Sequence, residues 1–221
     1  MKFQNYIKES DVDDVSNILQ VLEDKCMPFI KEIEANKPAR GTSIWFCRGS
    51  NKLYKTISNA ITPRSDRKPK NTKEELHKIL DLYFFKKFKW KPRSEGVFVT
   101  RLRSSTDLYG HPNLFFPVGK NYKYVHSPSI RDLYTSTLFY KDLDQLDYMY
   151  DSWSDIREKY TYEEYVEKEE KEAEERLKEI VSKYTDKDLH KAIYNEVMFK
   201  VGKYYLVHKD YEEDITKYFF G

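Results

Sequence analysis

Residues 193–208 read Ile193-Tyr194-Asn195-Glu196-Val197-Met198-Phe199-Lys200-Val201-Gly202-Lys203-Tyr204-Tyr205-Leu206-Val207-His208. Two β-rich runs flank a glycine, which predicts a hairpin turning near Gly202. At the head of the first run a solitary acid, Glu196, stands next to Val197, Met198 and Phe199. Working outward, Ser43-Ile44-Trp45-Phe46-Cys47-Arg48 reads as the first core strand, and Gly49 follows its terminal arginine. Gly96-Val97-Phe98-Val99-Thr100 reads as another strand, and residues 113–118 and 121–126 as two more. Val12, Val15, Ile18, Leu19 and Leu22 follow a 3.6 period, so residues 11–35 should be helical, with Pro28 a point of kinking or division. Thr72 with Glu75 fits a capping box, opening a second helix whose apolar face is Leu76, Ile79, Leu80, Tyr83, Phe84 and Phe88. Residues 51–72 read as a long, exposed and basic loop, of a length that is often functional. Residues 154–183 have the composition of a charged, projecting helix.

Helices and strands therefore follow one another without regular βαβ alternation, which implies an α+β fold. At 221 residues the chain suits one domain. Its aliphatic content is modest, but 19 Tyr and 13 Phe supply large rings that can fill a core. Neither GxGxxG nor GxxxxGK occurs, so no Rossmann or P-loop nucleotide site is indicated. No apolar run approaches the roughly 20 residues that span a bilayer. Two cysteines, Cys26 and Cys47, do not make a disulfide framework, and a reducing cytoplasm is the expected place of action. The net charge of +2 hides an asymmetry. Residues 37–93 carry a local balance of +12 and residues 142–188 one of −9. A basic half beside an acidic half points to a phosphate-bearing ligand such as NAD+ or a nucleic acid, or to an acidic protein, unless the two halves serve only solubility and one another. His111 and His126 have no metal-ligand spacing around them, so no metal is assigned.

The order Arg48, then Thr100 with Ser104 and Ser105, then Glu196 resembles the Arg–Ser/Thr–Glu signature of mono-ADP-ribosyltransferases, which transfer ADP-ribose from NAD+ to a target. The resemblance covers residues 44–126 and 193–208 and implies a split mixed-sheet core with flanking helices. It makes residues 37–221 the catalytic domain, with 142–188 a charged helical insertion, behind a helical segment at 1–36. Glu196, Arg48 and Thr100 take the catalytic roles. Arg48, Gly49, Thr100, Ser104, Tyr109 and Arg67 are the expected NAD+ contacts. The physical demand is clear. Breaking the nicotinamide–ribose bond builds positive charge on the sugar. A carboxylate beside the ribose hydroxyls answers that charge, and a guanidinium can hold the phosphates through two parallel hydrogen bonds.

Two departures from the family pattern stand out. The strand ends at Thr100 and the serines come later, at Ser104 and Ser105 before Tyr109, which looks more like the Gly-hydrophobic strand plus Ser-x-x-x-Tyr arrangement of the poly-ADP-ribose polymerase branch, whose tyrosine stacks on nicotinamide. Tyr194 occupies the place, two residues before the glutamate, where many arginine-modifying members carry Glu or Gln. Arginine as acceptor is thereby put in doubt. The first ten residues, in which Ile7-Lys8-Glu9 fits the cleavage site, resemble the capsid-targeting peptide of phage head proteins, and Asn195-Glu196-Val197-Met198 with Tyr204-Tyr205 is similar to a family of small phage proteins. The resemblances together imply a phage effector packaged in the head, injected, and acting in the host cytoplasm on a host protein or nucleic acid. The alternatives are an inactive phage protein on the same scaffold that binds a host or anti-phage defence factor, and a nucleic-acid-binding protein using the basic 37–93 region.

Overall fold

A computed structural model describes residues 9–38, 42–67, 72–137 and 161–221. In chain order the elements are α1 (Glu9–Ala35), β1 (Cys47–Ser50), α2 (Glu74–Phe88), α3 (Pro92–Glu95), β2 (Val97–Val99), α4 (Arg103–Thr106), β3 (His111–Pro117) and β4 (Lys123–His126). They continue with α5 (Leu133–Ser136), α6 (Tyr162–Ser182), β5 (Val197–Lys200), β6 (Tyr204–His208) and α7 (Glu212–Phe220). The α+β reading holds. The putting together of residues 1–8, which carry most of the packaging-like peptide, and of 138–160, which open the acidic region, lies outside the described residues.

The strands form two three-stranded sheets, ordered β1-β3-β6 and β2-β5-β4. Among the described residues every strand pairing is antiparallel, which corrects the mixed sheet expected from the sequence. The closing hairpin is corrected too. β5 pairs with β2 and β4, whereas β6 pairs with β3. The chain around Gly202 therefore passes from one sheet to the other. Alternating apolar runs about a glycine specify two strands and a change of direction, but not their partners. Where the sheets meet, Cys47 and Thr100 exchange both backbone hydrogen bonds, at 2.7 and 3.0 Å.

One helix closes the split from behind. The buried positions Ile18, Leu22, Cys26, Phe29, Ile30 and Ile33 line one stripe of α1. Phe29 meets Phe115 and Phe116 of β3 and Phe199 of β5 edge-to-face, at centroid distances of 6.3, 6.4 and 5.9 Å. A single ring thus touches both sheets. Pro28 lies inside α1 without dividing it. Phe29→Ala is expected to cost about 3–5 kcal/mol, the usual range for emptying a buried aromatic site; chemical denaturation measures it.

Strand alternation sorts the opposite face. Val97, Val99, Val197 and Phe199 belong to the α1-side core, while Met198 and Val125 join Leu76, Leu80, Phe84, Leu177 and Val181 beneath α2 and α6. Helix α6 begins as the sequence chemistry favours, with Thr161 and Glu164 forming a reciprocal capping box. Thr72 does not cap α2; Lys73 holds that position, and the Thr72 hydroxyl accepts from Arg93 instead, at 3.0 Å. Nor is residues 51–72 a free loop throughout. Ile57 and Ile61 form bridges to Val207 and Tyr204, covering the outer edge of β6. Among the described residues, no helix is long and apolar enough to cross a membrane.

Candidate active site

Cys47 faces the core and is fully buried, so its neighbour Arg48 emerges on the other face of β1. By the same alternation Phe98 and Thr100 on the β2 side, and Glu196 and Met198 on the β5 side, share the face turned away from α1. Arg48 Nη1 donates to the carbonyl of Phe98 at 3.0 Å, crossing from one sheet to the other. The Glu196 backbone N–H donates to the carbonyl of Arg131 at 3.0 Å, and the Asn195 amide donates to that of Ile130, also at 3.0 Å. These two bonds tie the segment entering β5 to the chain before α5.

Arg67 joins the two halves. Ile61 is bonded to β6, yet Arg67, six residues on, lies over the Phe98 ring of β2 at 4.2 Å from its centroid. The intervening chain therefore crosses from one sheet to the other. The Arg67 backbone N–H is held by the Ser94 carbonyl at 3.3 Å. Its guanidinium lies within electrostatic reach of Arg48, Arg93, Tyr109 and Glu196. Burial, then the fields of Arg48 and Arg93, weaken its hold on its proton, whereas Glu196 strengthens it.

Glu196 is the most perturbed acid of the group. Desolvation and the nearby charge of Asp132 push its carboxyl up to about 8, against the opposing pull of Arg93 and Arg67. Arg93 is buried and firmly held. Its Nη2 donates to Thr72 Oγ1 at 3.0 Å, its Nε to His77 Nδ1 at 3.4 Å, and its backbone N–H to Asp81 Oδ1 at 3.0 Å. Because His77 Nδ1 accepts from Arg93, its Nε2 carries the proton toward Ser94 Oγ, 2.9 Å away, and the serine hydroxyl donates to Asp81. The hydrogen bonds run from histidine to serine to aspartate. That is the wrong direction for an imidazole to take a proton from the serine, so Ser94, His77 and Asp81 brace Arg93 and are no nucleophilic triad.

The other sequence candidates divide. Tyr109 is 64% exposed, against the alternative of a packed core aromatic, and lies within electrostatic reach of Glu196, Asp132 and Arg67. Ser104 is exposed on α4. The Thr100 hydroxyl accepts the Leu102 N–H at 3.1 Å, shaping the turn after β2. Gly49 has no room to admit a ligand against its backbone. A Cβ there would stand 2.5 Å from the Thr106 carbonyl oxygen and 2.8 Å from Tyr109 Cβ, so the glycine lets the α4 turn pack on β1. His126 is buried, with Nε2 bonded to the Lys187 carbonyl at 2.8 Å. Among the described residues, no three His, Cys, Asp or Glu side chains come together as a metal site.

Sequence reasoning left Arg93 as one cation among several and gave Asp132 and Phe98 no role. The signal for the Arg93 brace is His77-x-x-x-Asp81, two polar groups a turn apart on a helix that buries them both. Nothing local marks Asp132. Comparison with protein-family models, curated proteins and solved structures finds no match to this chain.

Proposed function

We propose that this chain is a phage-encoded mono-ADP-ribosyltransferase-like effector that takes ADP-ribose from NAD+ and passes it to a host macromolecule. The observation that supports the reading is Arg67, whose guanidinium lies within electrostatic reach of Arg48 on one side and of Glu196 on the other. In this reading Arg48 and Arg67 hold the pyrophosphate, and Tyr109 offers an exposed ring to nicotinamide. The Glu196 carboxylate accepts from the ribose hydroxyls and answers the charge that grows at the anomeric carbon as nicotinamide leaves. Thr100 supports the pocket through the turn it shapes. The N-terminal resemblance adds packaging in the phage head and action in the host cytoplasm.

The reading is tested by incubating the purified chain with NAD+ and measuring nicotinamide release. Glu196 works as an anion, yet its surroundings hold it protonated up to about pH 8. The kcat/KM for NAD+ is therefore expected to climb by about tenfold per pH unit below that value and to level above it. A profile flat between about pH 6 and 9 excludes Glu196 as the ionising group. No nicotinamide release at any pH, together with a stable host complex in pull-downs, supports the second reading of a non-catalytic binder. The observation favouring that alternative is Gly49, an expected NAD+ contact whose backbone is packed beneath the α4 turn.

A further inference from the structure

We infer that the fold holds a second binding site, on the α1 side of the place where the two sheets meet, for a small hydrogen-bearing oxyanion of the bicarbonate or hydrogen phosphate class, seated between Arg101 and His126. Arg101 follows Thr100, which pairs with Cys47 at that junction, and is only 3% exposed. Its guanidinium lies over the ring of Phe46, 4.4 Å from the centroid, so the π face covers one side of the cation. Along the guanidinium edge Nε, Nη1 and Nη2 are all buried, and none meets an acceptor among the described residues. Burial weakens the group's hold on its proton, down to about 10, and no acid among the described residues offsets that effect. Arg101 is therefore still a cation at neutral pH. A buried cation with neither counter-charge nor hydrogen bonds opposes folding strongly, and an anion from outside the chain relieves that cost.

His126 forms the other end of the site. It is fully buried and within electrostatic reach of Arg101. Strand alternation puts it on the same face of β4 as Tyr124, whose ring packs on Phe199 at 5.6 Å, and Phe46 packs on that same Phe199 ring at 5.8 Å. His126 Nε2 stands 2.8 Å from the Lys187 carbonyl, which can only accept, so Nε2 carries the proton. Burial and then the field of Arg101 favour the neutral ring, against the pull of the Lys187 carbonyl. Nδ1 is thus a buried lone pair with no donor among the described residues. The other charged or titratable groups in reach are Asp188 and His190. Asp188 is exposed and paired with Lys191 at 2.8 Å, and His190 Nδ1 faces the Asn36 side chain at 3.4 Å.

Donors at one end and an acceptor at the other narrow the ligand. Chloride, nitrate and sulfate can meet the guanidinium but bring no proton for Nδ1. Bicarbonate and hydrogen phosphate offer two oxygens to the guanidinium edge and a hydroxyl that donates to His126. Enclosure by two buried side chains favours a free ion over a phosphate ester. Arg101 itself lies in a bend outside the strand ladders, where local opening is easier than within a sheet.

The test is the thermal melt of the full chain as bicarbonate or phosphate replaces chloride at fixed pH and ionic strength. A saturable rise of about 3 °C or more is expected, and the ion that gives it identifies the source. Arg101→Met should melt above wild type in chloride, because the uncompensated charge is gone, and should lack the saturable rise. Nitrogen NMR of the histidine rings reads the wild-type site without any variant: the His126 Nδ1 resonance should move on addition of the oxyanion and stay still with chloride. An equal response to chloride, which means an adventitious ion only, overturns the inference. So does an unmoved Nδ1 resonance, a melt indifferent to every anion, or a rise that Arg101→Met shares in full. None of these readouts depends on NAD+ turnover.

Discussion

Replacing Glu196 by glutamine should lower nicotinamide release from NAD+ by about 100- to 1,000-fold, the usual scale for losing a group aimed at charge that develops in a transition state. The same change should stabilise the protein at alkaline pH, and that pairing separates it from ordinary damage. The sign follows from where the proton is held. The carboxyl ionises at about 8 in the folded chain, against an ordinary value of 4.5. Between those values the folded state holds a proton that the unfolded state has lost. Stability therefore falls as pH rises through this window, and above about 8 the folded chain carries the whole cost of an ionised carboxylate in poorly solvated surroundings. Glutamine carries no such cost. Thermal melts should show Glu196→Gln above wild type at pH 9, by about 2–4 °C for each kcal/mol relieved in a chain of this size. The difference should shrink toward pH 4. An inactive variant that is also less stable at pH 9 would mean that Glu196 serves packing.

Arg48→Lys is the complementary experiment. The guanidinium already gives one N–H to the Phe98 carbonyl. Its remaining donors are free for two-point contact with a phosphate, which a compact ammonium cannot reproduce. The expected result is a KM for NAD+ raised by about 10- to 100-fold with a smaller change in kcat. Loss of the Phe98 bond should also cost about 0.5–1.5 kcal/mol of stability. A variant with unchanged KM and lowered stability would assign Arg48 to holding the sheets together.

Much of this arrangement is legible in the amino-acid order. The alternation around Cys47-Arg48 and Val97-Phe98-Val99 already says which side chains turn inward, and the apolar stripe of α1 says that a helix covers that side. Glu196 is conspicuous because an acid heads an otherwise apolar strand. What could not be read depends on contacts between distant segments. The run about Gly202 looks like a hairpin because each half is a good strand, yet pairing is decided by the competing edges of β3 and β2. Thr72 and Glu75 satisfy a capping pattern, but the buried Arg93 guanidinium claims the hydroxyl. Gly49 looks like an opening for a ligand, and only the path of the α4 turn reveals that protein fills it. The proton affinity of Glu196 is the clearest case. It arises first from burial and then from Asp132, with Arg93 and Arg67 pulling the other way, and these groups come from separate parts of the chain.

The seating of Phe29 against both sheets has a consequence for ligand recognition. The molecule opens like a book whose spine is α1 and whose pages meet along Cys47 and Thr100. The angle between the pages is fixed from the spine, on the face opposite Arg48 and Glu196. Substitutions along that helix should therefore loosen or tighten the grip on a ligand they never meet.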